Sequence, residues 1–241
     1  MRIRLVLSLW RAFCYAAGTA VVVLAIYEFW FFAQILYWVD HNPQTTRFME
    51  LRLNALQRKN PKASVERKWA GYLRISNHLK RAIIAAEDQK FLDHEGFDWE
   101  GIQRAMDKNQ QRGKIVAGGS TITQQLAKNL FLSGERSMLR KGQEALLTAM
   151  LEAAMTKRRI FEIYLNVVEW GEGIFGAEAA ARHYFKSSAA SLSADQAAFL
   201  SAIIPNPRTK YNPTTNPRRV QRRKRIILRL MRHVVIPKDM N

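Results

Sequence analysis

Cysteine is almost missing from this chain: one, Cys14, stands in 241 residues, so no disulfide closes within it. The five histidines fall singly at 41, 78, 94, 183 and 233, and no His/Cys group has the spacing of a zinc site. From Asn77 onward, runs of alternating β-branched residues are absent, which argues against a β domain and leaves helical periodicity to organise the chain. Acids are scarce: 20 Asp and Glu face 38 Lys and Arg, a net charge of +18. Such an excess suits nucleic acid, a membrane surface or a polyanionic substrate.

What is present begins with an apolar run from Ala12 to Val39, broken only by Glu28 and Gln34. It exceeds the ~20 residues a bilayer requires. It is too long for a signal-peptide core and no small-x-small cleavage site follows, so an uncleaved anchor over residues 12–39 is expected. Arg2, Arg4 and Arg11 precede it. The positive-inside rule then keeps residues 1–11 in the cytoplasm and places the rest across the bacterial inner membrane, with Trp30, Tyr37 and Trp38 as an aromatic belt. The competing reading is a buried N-terminal core helix. Beyond residue 39 there are 35 Lys and Arg against 19 Asp and Glu. An exported domain meets no nucleic acid, so lipid and an anionic substrate remain as partners.

Residues 40–75 mix charges with Pro43 and Pro61 and read as a membrane-proximal linker carrying a helical piece near Phe48–Leu56. A mostly α domain is expected over 76–210, with a polar, basic loop at Asn109–Lys114. Gly171-x-Gly173-x-x-Gly176 matches the dinucleotide fingerprint, but the residues before it have helical spacing and predict no preceding strand. Ser193-Ala194-Asp195-Gln196 is a capping box opening a helix that Pro205 stops. From Arg208 on there are eleven Lys and Arg and one acid, Asp239. Val220, Ile227, Leu230, Met231 and Val234 make a partial apolar stripe there. Residues 211–241 therefore read as a basic amphipathic segment, either solvated or lying on anionic lipid headgroups.

Three stretches carry chemistry. If Asn77 caps a helix, Leu79, Ala82, Ile83 and Ala86 form one apolar stripe; Glu87 borders it and Asp88 faces water. A carboxylate at the edge of an apolar face loses hydration, which raises its pKa and suits it to proton transfer near neutral pH. In the second stretch Gly118 and Gly119 allow close approach of a ligand and Ser120 can cap the next helix. Ser120, Gln124 and Lys128 then recur on one face, with Ile122, Leu126 and Leu130 on the other. In the third, Arg136, Arg140 and Glu144 share a face ahead of Ala145–Met155, apolar nearly all round and so expected to be buried. Each has a plainer reading: a solvated helix end, an ordinary amphipathic helix, and an intrahelical Arg140–Glu144 pair.

Five blocks stand in order: Glu87-Asp88-x-x-Phe91-x-x-His94-x-Gly96; Gly118-Gly119-Ser120-Thr121-Ile122-Thr123-Gln124-Gln125; Arg140-Lys141-x-x-Glu144; Lys157-x-x-Ile160-x-Glu162-x-Tyr164-Leu165-Asn166; and Gly173-x-x-Gly176 leading to Tyr184-Phe185. In this order they resemble the peptidoglycan glycosyltransferase family over about residues 75–210. The resemblance implies a lysozyme-like, two-lobed helical domain behind a single transmembrane helix. It also implies Glu87 as general base, Glu144 as second essential carboxylate, and Ser120, Gln124, Gln125, Lys128, Arg136, Arg140 and Lys141 on the sugar and pyrophosphate of the donor. His94 matches a family position.

The activity so implied is polymerisation of the lipid-linked disaccharide (lipid II) into β-1,4 glycan with inversion, releasing polyprenyl diphosphate. Partners would be lipid II, the growing glycan, the bilayer and other cell-wall synthesis proteins. No cofactor is assured, and a divalent cation (Mg or Mn) at Glu144 is left open. With no transpeptidase-like region before residue 241, a monofunctional polymerase is expected. The alternatives are a lysozyme-like hydrolase, which would have no diphosphate to stabilise, and a non-enzymatic scaffold, which would leave the two glutamates without a role.

Overall fold

The computed structural model describes residues 2–114, 118–135 and 137–238. Two compact units divide at His41/Asn42. The first is one helix, α1 (Arg2–Asp40). Over Leu9–Asp40 it is long and apolar enough to cross a membrane. Its large apolar side chains, among them Trp10, Phe13, Leu24 and Trp30, are exposed. A soluble core helix would bury them, so the core-helix alternative has no support.

The second unit is mostly helical, in two packed groups. In one group, α3 (Asn77–Glu87) and α10 (Pro217–Leu230) pack on α9 (Ala194–Ile203). In the other, α2 (Arg47–Gln57), α6 (Met138–Ala154) and α7 (Lys157–Val167) surround α5 (Ile122–Phe131). The stripe read on α3 is buried at Leu79, Ala82 and Ile83. Phe91, just beyond it, meets Phe161 of α7 at 5.5 Å between ring centres. Two further helices, α4 (Trp99–Arg112) and α8 (Ala177–Phe185), complete the unit with three short strands. These strands, β1 (Glu66–Arg67), β2 (Glu169–Gly171) and β3 (Ile174–Phe175), lie in the order β1-β3-β2. β1 runs parallel to β3 with Glu66 opposite Ile174; β2 is antiparallel to it, with a shift between Glu169 and Gly171.

Several expectations are corrected. Residues 42–75 are no mere connector: α2 packs on α5, β1 joins the sheet, and the Asn166 side chain clamps both the N–H and the C=O of Ala70 at 2.8 and 2.9 Å. The loop at Asn109–Lys114 is helical as far as Arg112, where Gly113 at φ +60° ends α4. A strand, β2, does run into Gly171, but as one arm of a tight hairpin against β3 rather than the start of a strand–helix nucleotide motif. Helix α6 is buried along Glu144, Leu147, Thr148 and Leu151 only, and Leu146 is 42% exposed. The cap of α3 is Ser76, whose Oγ accepts from the His78 N–H; Asn77 is the first helical residue. The box at Ser193–Gln196 caps α9 as read.

Candidate active site

Glu87 is the last residue of α3, and its side chain keeps only 8% of its exposure. Gln125 of α5 donates from Nε2 to Oε2 of Glu87 at 3.1 Å, and Arg223 of α10 donates to Oε1 at 2.8 Å. The Gln125 amide is itself oriented by the Tyr164 hydroxyl of α7, which donates to its Oε1 at 2.9 Å. Burial raises the Glu87 pKa above the ordinary carboxylate value, and the opposing pull of Arg223, Gln125 and Lys128 does not cancel it. Burial, with Glu87 and Asp88 nearby, also pushes the Tyr164 phenol well above its usual value, so it remains a donor.

Asp88 does not face water: it is buried. The helical wheel misplaces it because the chain leaves the helix there, at φ −161° and ψ 79°. Its Oδ2 accepts the N–H of Ile122 at 3.0 Å and thereby ties the end of α3 to the start of α5. His94 Nε2 sits 3.0 Å from Oδ1 and, against an acceptor-only carboxylate, must donate. Asp88 and His94 thus hold the two helices that carry Glu87 and Gln125.

The cap of α5 is Thr121, in a capping box with Gln124, and the exposed Ser120 lies outside the helix. The sequence already held that signal, since Thr121 is followed three residues on by Gln and Ser120 is not. Gln124 is therefore buried at the helix start, its side-chain oxygen taken by the Thr121 N–H. Gly119 serves packing more than ligand approach: a Cβ there would come within 2.9 Å of the Ile102 backbone in α4.

Farther along α5, Lys128 lies at the junction of the charged groups. Its ammonium pKa is lowered, chiefly by burial; Glu144 and Glu87 oppose that effect, while Arg140 and Lys141 add to it. Glu144 is buried on α6, with Arg140 donating to Oε2 at 2.7 Å and Lys141 bonded to Oε1. The intrahelical pair is real; its attraction is stronger than at the surface, but both partners also lose hydration. Ser120, Gln124, Gln125, Lys128, Arg140, Lys141 and Glu144 line one hollow of about 460 Å³, within the range of small-molecule sites. Ser120 also borders the neighbouring hollow onto which Glu87 opens. Arg136 lies outside the described residues.

Sequence reasoning passed over Arg223, Asp88 as a brace, and a group beyond Lys128: Arg52, Glu169 and Arg208. Arg52 Nε meets the buried Glu169 carboxylate at 3.1 Å and Arg208 approaches it at 3.9 Å. Residues 117 and 39 positions from Glu169 leave no periodic trace.

Comparison with known proteins assigns this arrangement first to a class. The family described as transglycosylase matches residues 54–232, and the chain belongs to it, with the lysozyme-like helical domain of that family. More particularly, it is 59% identical over 218 residues to the biosynthetic peptidoglycan transglycosylase of Methylobacillus flagellatus, covering 90% of this chain and 95% of that one. The protein of the same name from Thiobacillus denitrificans is 55% identical over 231 residues, covering 96% and 99%. That of Laribacter hongkongensis is 59% identical over 212 residues, covering 88% and 92%.

Proposed function

We infer that this protein is a peptidoglycan polymerase that joins lipid-linked disaccharide units into β-1,4 glycan with inversion. The observation that carries the reading is Lys128, a half-buried cation set among Glu87, Glu144, Arg140 and Lys141. In this step Glu87 takes the proton from the acceptor sugar's 4-hydroxyl as that oxygen attacks the donor's anomeric carbon. The bond to the lipid diphosphate breaks on the opposite face, and the diphosphate leaves with the electron pair. Burial lifts the basicity of Glu87 toward the working pH. Lys128, Arg140 and Lys141 receive the charge that gathers on the departing diphosphate, in a setting already oriented for it. Glu144 holds Arg140 and Lys141 in place.

A divalent cation at Glu144 does not fit these residues. Both of its oxygens already meet a cation, and among the described residues no three His, Cys, Asp or Glu gather to hold a metal. The helix α1 serves as the anchor, and Arg2, Arg4 and Arg11 favour a cytoplasmic N-terminus with the catalytic unit on the far side of the inner membrane.

The test is to supply the purified chain with lipid-linked disaccharide and, separately, with finished wall. Longer glycan from the precursor is expected, and Glu87→Gln should lower its formation by at least about 10²-fold. Fragments of finished wall without polymer would turn the reading to a hydrolase, and wild-type rates in the Gln variant would remove Glu87 as base.

A further inference from the structure

Among the cations of α10, Arg223 turns inward. Its side chain is 26% exposed, while Arg222 and Arg225 on either side are exposed to solvent. Val220 and Ile227 are buried on the same face and set its direction, and Lys224 pairs with Asp195 at 2.7 Å, which pins α10 to the first turn of α9. One terminal nitrogen of Arg223 donates both to Glu87 Oε1 and, at 3.1 Å, to the C=O of Ala86. That carbonyl belongs to the last turn of α3, where helix carbonyls have no partner of their own. The guanidinium also lies over the Tyr211 ring, 5.4 Å from its centre. A basic helix 130 residues downstream thus ends in the first block of the site.

We propose that Arg223 is a positioning residue for the polymerisation, clamping one oxygen of Glu87 and the end of α3 so that the carboxylate stays charged and aimed into the hollow onto which it opens. The proposal rests on the reading of Glu87 as base. Four groups from three helices face that carboxyl: Arg223 from α10, Gln125 and Lys128 from α5, and Tyr164 from α7, while Asp88, next in the chain, turns to the Ile122 N–H and His94. The surrounding burial favours the protonated acid, which cannot accept a proton. Lys128 opposes that effect, but it is shared with Glu144 and the cations that meet the diphosphate. Arg223 stands outside that cluster and is the foremost group opposing the burial of Glu87. Each carboxylate oxygen has one protein donor and so keeps a further lone pair for the acceptor hydroxyl.

The experiment is the pH profile of kcat/KM for polymer formation by the full chain in detergent, with lipid-linked disaccharide as substrate. Wild type, Glu87→Gln, Arg223→Gln, Arg223→Met and Arg223→Lys are compared, with thermal melting alongside. Removing the Arg223 charge should move the acidic limb to higher pH by about one unit or more, with activity recovering on the alkaline side, and Lys should return the limb most of the way. A limb that stays in place in both neutral variants, or that Lys displaces as far as Gln does, overturns the proposal. If neither neutral variant folds, Arg223 is a structural residue and the proposal also falls. Failure of the Glu87 reading looks different: Glu87→Gln would keep the wild-type rate and acidic limb.

Discussion

As a carboxylate, Glu87 is less at home in the folded chain than in water, and its usefulness as a base comes from the same burial. Its folded pKa is raised, so the folded chain binds that proton more tightly than the unfolded chain does. The sign follows: this group's contribution to stability is fully present below the unfolded carboxylate pKa and is lost as pH rises through the folded value. Glu87→Gln removes the titrating group. The melting temperature of the Gln variant, relative to wild type, should therefore be higher at about pH 8 than at about pH 5. An equal difference at both values would show that Glu87 titrates as it does in water. At this scale, the periodicity of α3 was enough to put Glu87 at the edge of the apolar stripe. It misplaced Asp88, because a wheel applies only while the helix continues and the helix ends one residue earlier.

Among the elements, local signals did best where their cause is local. The box at Ser193–Gln196 was read as it stands, whereas the box at Thr121–Gln124 and the stop at Gly113, equally local, were passed over for a cap at Ser120 and a loop. The hairpin of β2 and β3 was hidden, since two- and three-residue strands show no alternation, and β1 finds its partner more than a hundred residues away. Gly176 closes that hairpin onto α8 at φ +84°, and a Cβ there would stand 2.8 Å from the backbone oxygen of Asn166. The same Asn166 clamps Ala70, so the turn and the 42–75 segment share one anchor. Gly176→Ala should lower stability by about 1–3 kcal/mol in denaturant unfolding, from the positive φ and the approach to Asn166 together. A neutral outcome would mean that the turn relaxes without strain.

For the whole molecule, the division at His41/Asn42 makes a separable prediction. A chain beginning at Asn42 carries its own core, from Met49 and Leu79 to Ile227, and should melt cooperatively. It should also stay in the supernatant where the full chain sediments with membranes. A chain that aggregates or fails to melt would show that the helix before it is needed for folding. Composition and periodicity determined the apolar N-terminal helix, the helical class and the place of Glu87 beside an apolar stripe, because hydropathy and spacing are properties of neighbouring residues; the residues assigned to the donor came from the resemblance of the five blocks. Only the tertiary structure decided that Arg223 meets Glu87, that Lys128 stands among both glutamates, and that Arg52 and Arg208 converge on Glu169. Those contacts join residues tens to more than a hundred positions apart, and charges find such partners only when packing has brought their helices together.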